Sequence, residues 1–292
     1  MVIWQGQSNG HDEVISELTE LTNATTSLPE APSSLLASSS VSPELEPPEL
    51  SPSTSEAESV PPVAKSFTIV ETIPHDAGAF TQGLEIYNGR LFESTGLVGR
   101  SSIREIDLAS GTIVRNEPVP EVFAEGLTLV GADALQLTWK AGIAYRYDTN
   151  TFAVTDTYTY DGEGWGLCYN DSQLVMSNGS ATLQFRDPET FALRSTIDVE
   201  LEGIPVQQLN ELECVDGSVW ANIWKSTLIV EIDPTSGDVT GVLDAAALVP
   251  EAVAGDSSAV LNGIAYDDET GTFLLTGKLW PVIYRVTVHT EQ

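Results

Sequence analysis

The chain has 292 residues, 41% of them hydrophobic, and a formal net charge of −31. Such an excess of Asp and Glu argues against nucleic acids and anionic membranes as partners, because both bind through basic patches. No apolar run reaches the roughly 18 residues of a membrane-spanning helix, so we expect no membrane span.

The first 65 residues are rich in Ser, Pro, Thr and Glu and contain no aromatic residue after Trp4. Such a segment buries too little apolar surface to offset its ordering entropy, which predicts a disordered acidic tail over residues 1–65. Only Asp12 to Leu21 could form a weak helix. The first residues lack the basic and apolar regions of a signal peptide. A folded domain is predicted over residues 66–292.

Short alternating apolar runs begin after the tail, and the first, Phe67 to Ile73, predicts a strand. A hairpin motif then recurs every 40–52 residues, and an apolar strand follows each start at Gly83, Gly126, Gly166, Glu211 and Gly263. A second landmark follows the first four starts, a turn led by Asp107, Asp148, Asp187 or Asp233. An Asp at this position accepts hydrogen bonds from its own backbone.

A period of about 40–50 residues with four strands each is typical of propeller blades. The sequence therefore predicts an all-β fold, a five-bladed β-propeller. The last repeat is one strand short, and the strand at Phe67 to Ile73 would complete it. This closure would also remove exposed sheet edges.

The hairpin geometry predicts one functional face, since the start of a first strand lies beside the end of the second. All three lysines after Lys65 fall at second-strand ends, each near a tryptophan: Lys140 with Trp139, Lys225 with Trp224, and Lys278 with Trp280. The first-strand starts add the aromatic, amide and acidic residues Phe80, Gln82, Phe123, Glu125, Trp165, Asn210 and Asn262. An apolar pocket with a few convergent polar groups indicates a binding site. We assign Trp220 to the core.

The sequence lacks the residues that several kinds of functional site require. There are three histidines and no HExxH, HxH or CxxC motif, so we predict no metal and no cofactor. Cys168 and Cys214 are too few for a disulfide framework and are interpreted as two buried free thiols. His75 and His289 lie away from the repeat ends, so no Ser-His-Asp set forms. Carboxylate acid–base chemistry in an aromatic pocket remains.

These motifs resemble the plant-type glutaminyl-peptide cyclotransferases, also called glutamine cyclotransferases. The matching strings include Phe80-Thr-Gln-Gly-Leu84, Phe123-Ala-Glu-Gly-Leu-Thr128, Leu137-Thr-Trp-Lys140, Gly162-Glu-Gly-Trp-Gly-Leu167, Leu209-Asn-Glu-Leu-Glu213, Trp220-Ala-Asn-Ile-Trp224 and Thr276-Gly-Lys-Leu-Trp-Pro281. The resemblance covers about residues 66–288. It implies a five-bladed propeller that converts an N-terminal glutamine into pyroglutamate with release of ammonia.

The resemblance implies roles for nine residues. Glu125 would be the catalytic acid–base, and the substrate pocket would be lined by Phe80, Gln82, Phe123, Trp139, Trp165, Asn210, Trp224 and Lys278. The partners would be peptide or protein N-termini that bear Gln, and we expect a monomer. The family and the tail favour an extracellular, periplasmic or surface-tethered location.

Two other functions compete with this one. The first is a non-catalytic propeller that binds peptides or glycans and retains the aromatic ring; loss of Glu125 would favour it, and Glu125 is present. The second is a metal-dependent, lactonase-like hydrolase, which needs several carboxylate and amide ligands and usually a sixth blade.

Overall fold

A computed structural model describes residues 61–291 of the chain. The weak helix expected over residues 12–21 and most of the predicted tail lie outside the described residues. The described part is all-β, with two short 3-10 turns at Ala246–Leu248 and Glu251–Val253. It contains no helix long and apolar enough to cross a membrane.

Three antiparallel sheets of four strands follow one another along the chain. The first contains β2 (Thr81–Tyr87), β3 (Arg90–Thr95), β4 (Ser102–Ile106) and β5 (Ile113–Pro118). The second contains β6 (Ala124–Val130), β7 (Asp133–Thr138), β8 (Ile143–Asp148) and β9 (Val154–Thr159). The third contains β10 (Leu167–Tyr169), β11 (Leu174–Met176), β12 (Thr182–Arg186) and β13 (Leu193–Asp198). A two-stranded hairpin follows, with β14 (Glu200–Leu201) and β15 (Ile204–Pro205).

The remaining strands form one eight-stranded sheet in the order β16-β17-β18-β19-β1-β22-β21-β20. They are β16 (Leu209–Val215), β17 (Ser218–Ile223), β18 (Leu228–Ile232), β19 (Val239–Asp244), β1 (Val63–Pro74), β20 (Leu261–Asp267), β21 (Thr272–Gly277) and β22 (Val282–Thr290). The predicted strand at Phe67 to Ile73 is confirmed within β1, and it pairs antiparallel with β22. The strand begins at Val63, before the predicted boundary, because Val63 to Lys65 also pair in parallel with β19.

The first strands β2, β6, β16 and β20 are each distorted at the start of the repeat. The pairing register shifts at Thr81/Gly83 in β2 and at Ala124/Leu127 in β6, and the same occurs in β16 and β20. A Cβ on Gly83 would lie 2.5 Å from the Leu127 nitrogen, so the two backbones approach too closely for a side chain. Neighbouring first strands contact each other from β2 to β6, β6 to β10, β10 to β16, β16 to β20 and β20 back to β2.

Burial decreases outward within the first three sheets, whereas β19, which pairs with β1, stays largely buried. The first strand β6 is buried along nearly its whole length, whereas the fourth strand β9 is almost wholly exposed. Trp220 packs against Phe273 with ring centroids 4.8 Å apart and is buried, which confirms its assignment to the core. The predicted Asp turns also form; the Asp107 carboxylate, for example, accepts a hydrogen bond from the Ser110 backbone N–H at 2.8 Å.

The interpretation of the two cysteines as free thiols is wrong. Cys168 in β10 and Cys214 in β16 form a disulfide, with Cα atoms 5.5 Å apart. They lie on neighbouring first strands that contact each other, Cys168 two residues after Gly166 and Cys214 three residues after Glu211, and the repeat thus brings the two sulfurs together. The pairing covalently connects two neighbouring units across 46 residues of chain.

Candidate active site

One cavity of about 230 Å³ contains all nine predicted site residues in its wall. They are Phe80, Gln82, Phe123, Glu125, Trp139, Trp165, Asn210, Trp224 and Lys278. They come from all five of the repeated units although they are spread over about 200 positions of sequence. The residues that the family resemblance implied for the site therefore share one cavity, whereas Asn262, which the hairpin geometry also indicated, is not in its wall.

The strands place these residues by one rule. Gln82 and Glu125 each precede the glycine of a distorted first strand, whereas Trp139 and Trp224 follow the last residue of a second strand. The two positions are adjacent because the hairpin strands are antiparallel: the Trp139 backbone N–H donates to the Phe123 carbonyl at 2.9 Å. Each hairpin thus delivers residues from both of its strands to the same end.

Aromatic rings form most of the wall in two groups. The Phe123 ring lies edge-on to Phe80 at 6.1 Å and to Trp139 at 5.5 Å between centroids. Trp165 and Trp224 form a second edge-on pair at 5.5 Å. Edge-to-face pairs of this kind favour defined ring orientations. The result is an apolar box suited to a small uncharged group.

Glu125 is the carboxylate of this box and is only 5% exposed. The Gln82 side-chain N–H donates to Glu125 Oε1 at 3.0 Å, and Asn262 donates to the Gln82 oxygen at 3.1 Å. Burial raises the pKa of Glu125 well above its ordinary value; Lys278 opposes this shift and Glu163 adds to it. A carboxylate in this state is a stronger base than a surface glutamate.

Lys278 is the cation of the box and is also 5% exposed. Its ammonium lies 5.0 Å from the centroid of the Phe80 ring. Burial lowers the pKa of Lys278 to about 8, and the attraction of Glu125 limits the decrease. The cavity thus contains one acid and one amine whose pKa values have both moved toward neutrality.

The expectation that three Lys–Trp pairs share the site is wrong for Lys140, Lys225 and Trp280, which do not line the cavity. Lys140 and Lys225 are exposed and lie over the Trp139 and Trp224 rings, at 4.0 and 4.3 Å from the centroids. Trp280 is fully buried, and its indole N–H donates to the Ala259 carbonyl. Only Lys278, at the end of β21, turns into the cavity.

Glu163 was missed as a functional candidate. It lies in the segment between β9 and β10, and its Oε2 accepts hydrogen bonds from the indole N–H groups of Trp139 at 2.7 Å and Trp165 at 3.0 Å. Its position two residues before Trp165 was the available signal. Within residues 61–291, no group of three His, Cys, Asp or Glu side chains is arranged to hold a metal ion.

Comparison with known proteins identifies the family. The sequence profile described as glutamine cyclotransferase matches residues 47–288. The chain belongs to the glutamine cyclotransferase family.

Two relatives of this family member agree with the profile. A glutaminyl-peptide cyclotransferase of Arabidopsis thaliana is 38% identical over 224 residues, covering 75% of this chain and 70% of the relative. The crystal structure of Myxococcus xanthus glutaminyl cyclase is 42% identical and superposes with a TM-score of 0.75, covering 79% of this chain and all of that one.

Proposed function

We propose that this protein is a glutaminyl-peptide cyclotransferase, which converts the N-terminal glutamine of peptides to pyroglutamate and releases ammonia. The observation that carries the proposal is the buried Glu125–Lys278 pair inside an aromatic box of about 230 Å³. Family membership supports it. The box suits a neutral glutamine side chain folded back on its own amine.

The reaction requires one bond to form and one to break. The α-amine, neutral in a useful fraction because its ordinary pKa is about 7.7–8.0, attacks the γ-amide carbon. The resulting tetrahedral centre then loses its amide nitrogen as ammonia. Ring closure is intramolecular, so the main task of the pocket is to hold the reactive conformer.

Glu125 would carry the proton between the two nitrogens. Its carboxylate accepts the proton of the attacking amine and donates it to the departing amide nitrogen, an effect of about 10²- to 10⁴-fold in rate. Its raised pKa makes Glu125 a stronger base than an ordinary glutamate, which suits acceptance of the amine proton. Gln82 would hold the carboxylate in place through its 3.0 Å hydrogen bond.

Lys278 and Asn210 would bind the polar ends of the substrate. The Lys278 ammonium can stabilise the negative charge on the oxygen of the tetrahedral centre. Asn210 is buried, and its side-chain oxygen has no hydrogen-bond partner among the described residues. A buried acceptor of this kind is matched by an N–H donor, which the substrate amine or amide supplies.

The direct test is incubation with a Gln-initiated peptide, followed by mass spectrometry for loss of one ammonia. The same peptide with an N-terminal Asn or an acetylated Gln should remain unchanged. Saturable binding of the Gln peptide without ammonia release would favour the non-catalytic propeller instead. Release of ammonia that leaves an N-terminal glutamate instead of pyroglutamate, and that stops on chelation, would favour the metal-dependent hydrolase.

We further propose that the fold is a five-bladed propeller whose last blade is completed by β1, and that the protein is a monomer. Support comes from five first strands that contact in sequence and return from β20 to β2. The pairing of β1 with β22 also supports it. A chain without residues 1–60 should melt like the full chain, whereas one without residues 1–77 should lose its cooperative transition. Equal melting of the two would contradict the closure.

A further inference from the structure

One carboxylate oxygen accepts hydrogen bonds from two tryptophans of the candidate active site. Trp139 follows β7 and Trp165 precedes β10, so they belong to different units of the repeat. Both indole N–H groups donate to Oε2 of Glu163, which belongs to neither strand. The other carboxylate oxygen lies 3.3 Å from the Lys140 ammonium.

This segment is also fixed by its backbone. The Gly164 N–H, next to Glu163, donates to the Trp139 carbonyl at 3.0 Å. Trp139 therefore contacts the segment through both its backbone and its indole. Since the Glu163 backbone is anchored beside Trp139, its carboxylate has a defined position from which to orient the two rings.

The acceptor is charged, which makes the two bonds strong. The hydrogen bonds from Trp165, Trp139 and Lys140 outweigh partial burial and lower the pKa of Glu163, so the carboxylate stays ionised at neutral pH. Hydrogen bonds to an ionised acceptor are roughly twice as strong as those between neutral groups. An indole has two side-chain torsions, and a hydrogen bond at its N–H restricts both.

We propose that Glu163 is a positioning residue of the active site, which orients the Trp139 and Trp165 rings and thereby shapes the box for the substrate glutamine. This inference rests on the proposed function. Glu163 acts through the two rings, one from each aromatic group of the wall. It also places a negative charge close enough to influence Glu125.

The charge predicts a second effect. Glu163 adds to the shift that raises the pKa of Glu125, Lys278 opposes that shift, and Tyr160 is a further titratable group that interacts with Glu125. Removing the Glu163 charge should therefore lower the pKa of Glu125. The acid limb of kcat/KM should then move to lower pH.

The test compares Glu163→Ala and Glu163→Gln with the wild type and with the control Glu251→Gln, an exposed glutamate in a 3-10 turn outside the pocket. Glu163→Ala removes the oxygen that accepts hydrogen bonds from both indoles. We expect kcat/KM for a Gln-initiated peptide to fall about 10- to 100-fold. Glu163→Gln retains a carbonyl acceptor and should stay within about 5-fold of the wild type, with its acid limb shifted to lower pH. The control should match the wild type in both respects.

Two further measurements separate positioning from stability and from the proposed function. Melting temperatures of all variants should agree within about 2 °C, because the segment is at the surface of the fold. Titration of tryptophan fluorescence with the same peptide measures affinity without turnover, and Glu163→Ala should bind about tenfold more weakly.

Wild-type activity in Glu163→Ala, or equal losses in Ala and Gln variants with an unmoved acid limb, would overturn the inference. A wild type that binds but does not turn over removes the proposed function, while the affinity of Glu163→Ala still decides the role of Glu163. If the wild type shows neither turnover nor binding, both proposals fail.

Discussion

Two cavities lie on the same set of first strands and differ in almost every chemical respect. The aromatic pocket has a volume of about 230 Å³. The second cavity, called the acidic cavity, has a volume of about 590 Å³, and its wall includes Glu85, Glu213, Asp268 and Asp216. On each of three first strands, one residue lines the aromatic pocket and the residue three positions later lines the acidic cavity. Gln82 and Glu85 lie on β2, Glu125 and Thr128 on β6, and Asn210 and Glu213 on β16.

Buried carboxylates occur at both places, but their surroundings differ. In the aromatic pocket, Lys278 opposes the burial that raises the pKa of Glu125. In the acidic cavity, burial and repulsion from Glu85 and Glu211 act together to raise the pKa of Glu213. None of the described residues that line the acidic cavity is Lys, Arg or His. The proton-transfer role is therefore proposed for the cavity in which a cation and a substrate-sized apolar space accompany the raised carboxylate pKa.

The comparison is tested most strongly by the same substitution in both cavities. Glu125→Gln preserves the size of the side chain and removes its proton-accepting oxygen. We expect kcat to fall at least about 10²-fold, with little change in KM or melting temperature. Steady-state kinetics on a Gln-initiated peptide and a thermal melt provide the measurement.

Glu213→Gln is the matched control. Its amide oxygen can still accept the hydrogen bond that the Tyr266 N–H donates to Glu213 at 3.1 Å. We expect kcat within about twofold of the wild type, as for a substitution outside the reacting groups. If Glu125→Gln retains more than a tenth of the wild-type kcat, Glu125 is not the proton carrier.

Reduction of the disulfide should destabilise the fold without affecting the chemistry. Cys168 and Cys214 both line the acidic cavity and do not line the aromatic pocket. A closed loop of this size corresponds to about 2–4 kcal/mol of stability. We expect Cys168→Ser/Cys214→Ser to melt several degrees lower while kcat at 25 °C is unchanged. A large loss of kcat would show that the two cavities are coupled.

The cysteines show where sequence reasoning failed. The repeat placed them in corresponding strands, which was sufficient to predict proximity. The interpretation as free thiols rested instead on the low number of cysteines. Cys168 and Cys214 are brought close together because their first strands approach each other at Gly166, where a Cβ would lie 2.0 Å from the Asn210 carbonyl oxygen. Position in the repeat was therefore a better guide than the number of cysteines.

The nine pocket residues show where sequence reasoning succeeded. Their placement depends on hairpin register, which is a property of spacing, and on motifs that are specific to the family. The orientation of Lys278 relative to Lys140 and Lys225 was not predictable in this way. In the structure Lys278 directly follows β21, as Trp139 and Trp224 follow β7 and β17, whereas Lys140 and Lys225 lie one residue further on.

Glu211 illustrates a further limit. It stands where other repeats have glycine, and the sequence offers no reason for the exchange. In the structure its two carboxylate oxygens accept the backbone N–H groups of Ile264 at 2.8 Å and Leu84 at 3.3 Å. It thus connects its own strand to two other first strands. Such a role depends on three strands at once and is not visible in one repeat.

Lys278 should control the alkaline side of the pH profile. Its pKa is about 8, so its positive charge, and with it stabilisation of the oxyanion, is present below this pH and lost above it. In the wild type this loss opposes the gain from deprotonation of the substrate amine. We expect Lys278→Met to lower kcat about tenfold at pH 7, the scale of one charged hydrogen bond. In Lys278→Met, kcat should no longer decline above pH 8. A decline that persists in this variant assigns the alkaline limb to another group.

The smallest expected effect is on stability at the acidic cavity. Burial raises the pKa of Glu85 to about 7 from an ordinary value of 4.5, with Asp268 adding to the shift and the Thr128 hydroxyl, 2.9 Å away, opposing it. A carboxyl whose pKa is higher in the folded state favours folding below pH 4.5, and this contribution is lost as the pH rises to about 7.

Glu85→Gln removes that pH dependence. We expect its melting temperature relative to the wild type to be about 2–4 °C higher at pH 8 than at pH 4.5, corresponding to about 1 kcal/mol because the side chain is partly exposed. Melts should include a chelator, since a bound cation would screen the carboxylates and stabilise the folded state. Glu189→Gln, an exposed glutamate in the turn after β12, serves as the control. If Glu85→Gln and the wild type change in parallel between these two pH values, folding does not shift the pKa of Glu85. The acidic cavity would then have to hold its charges apart by some means other than protonation.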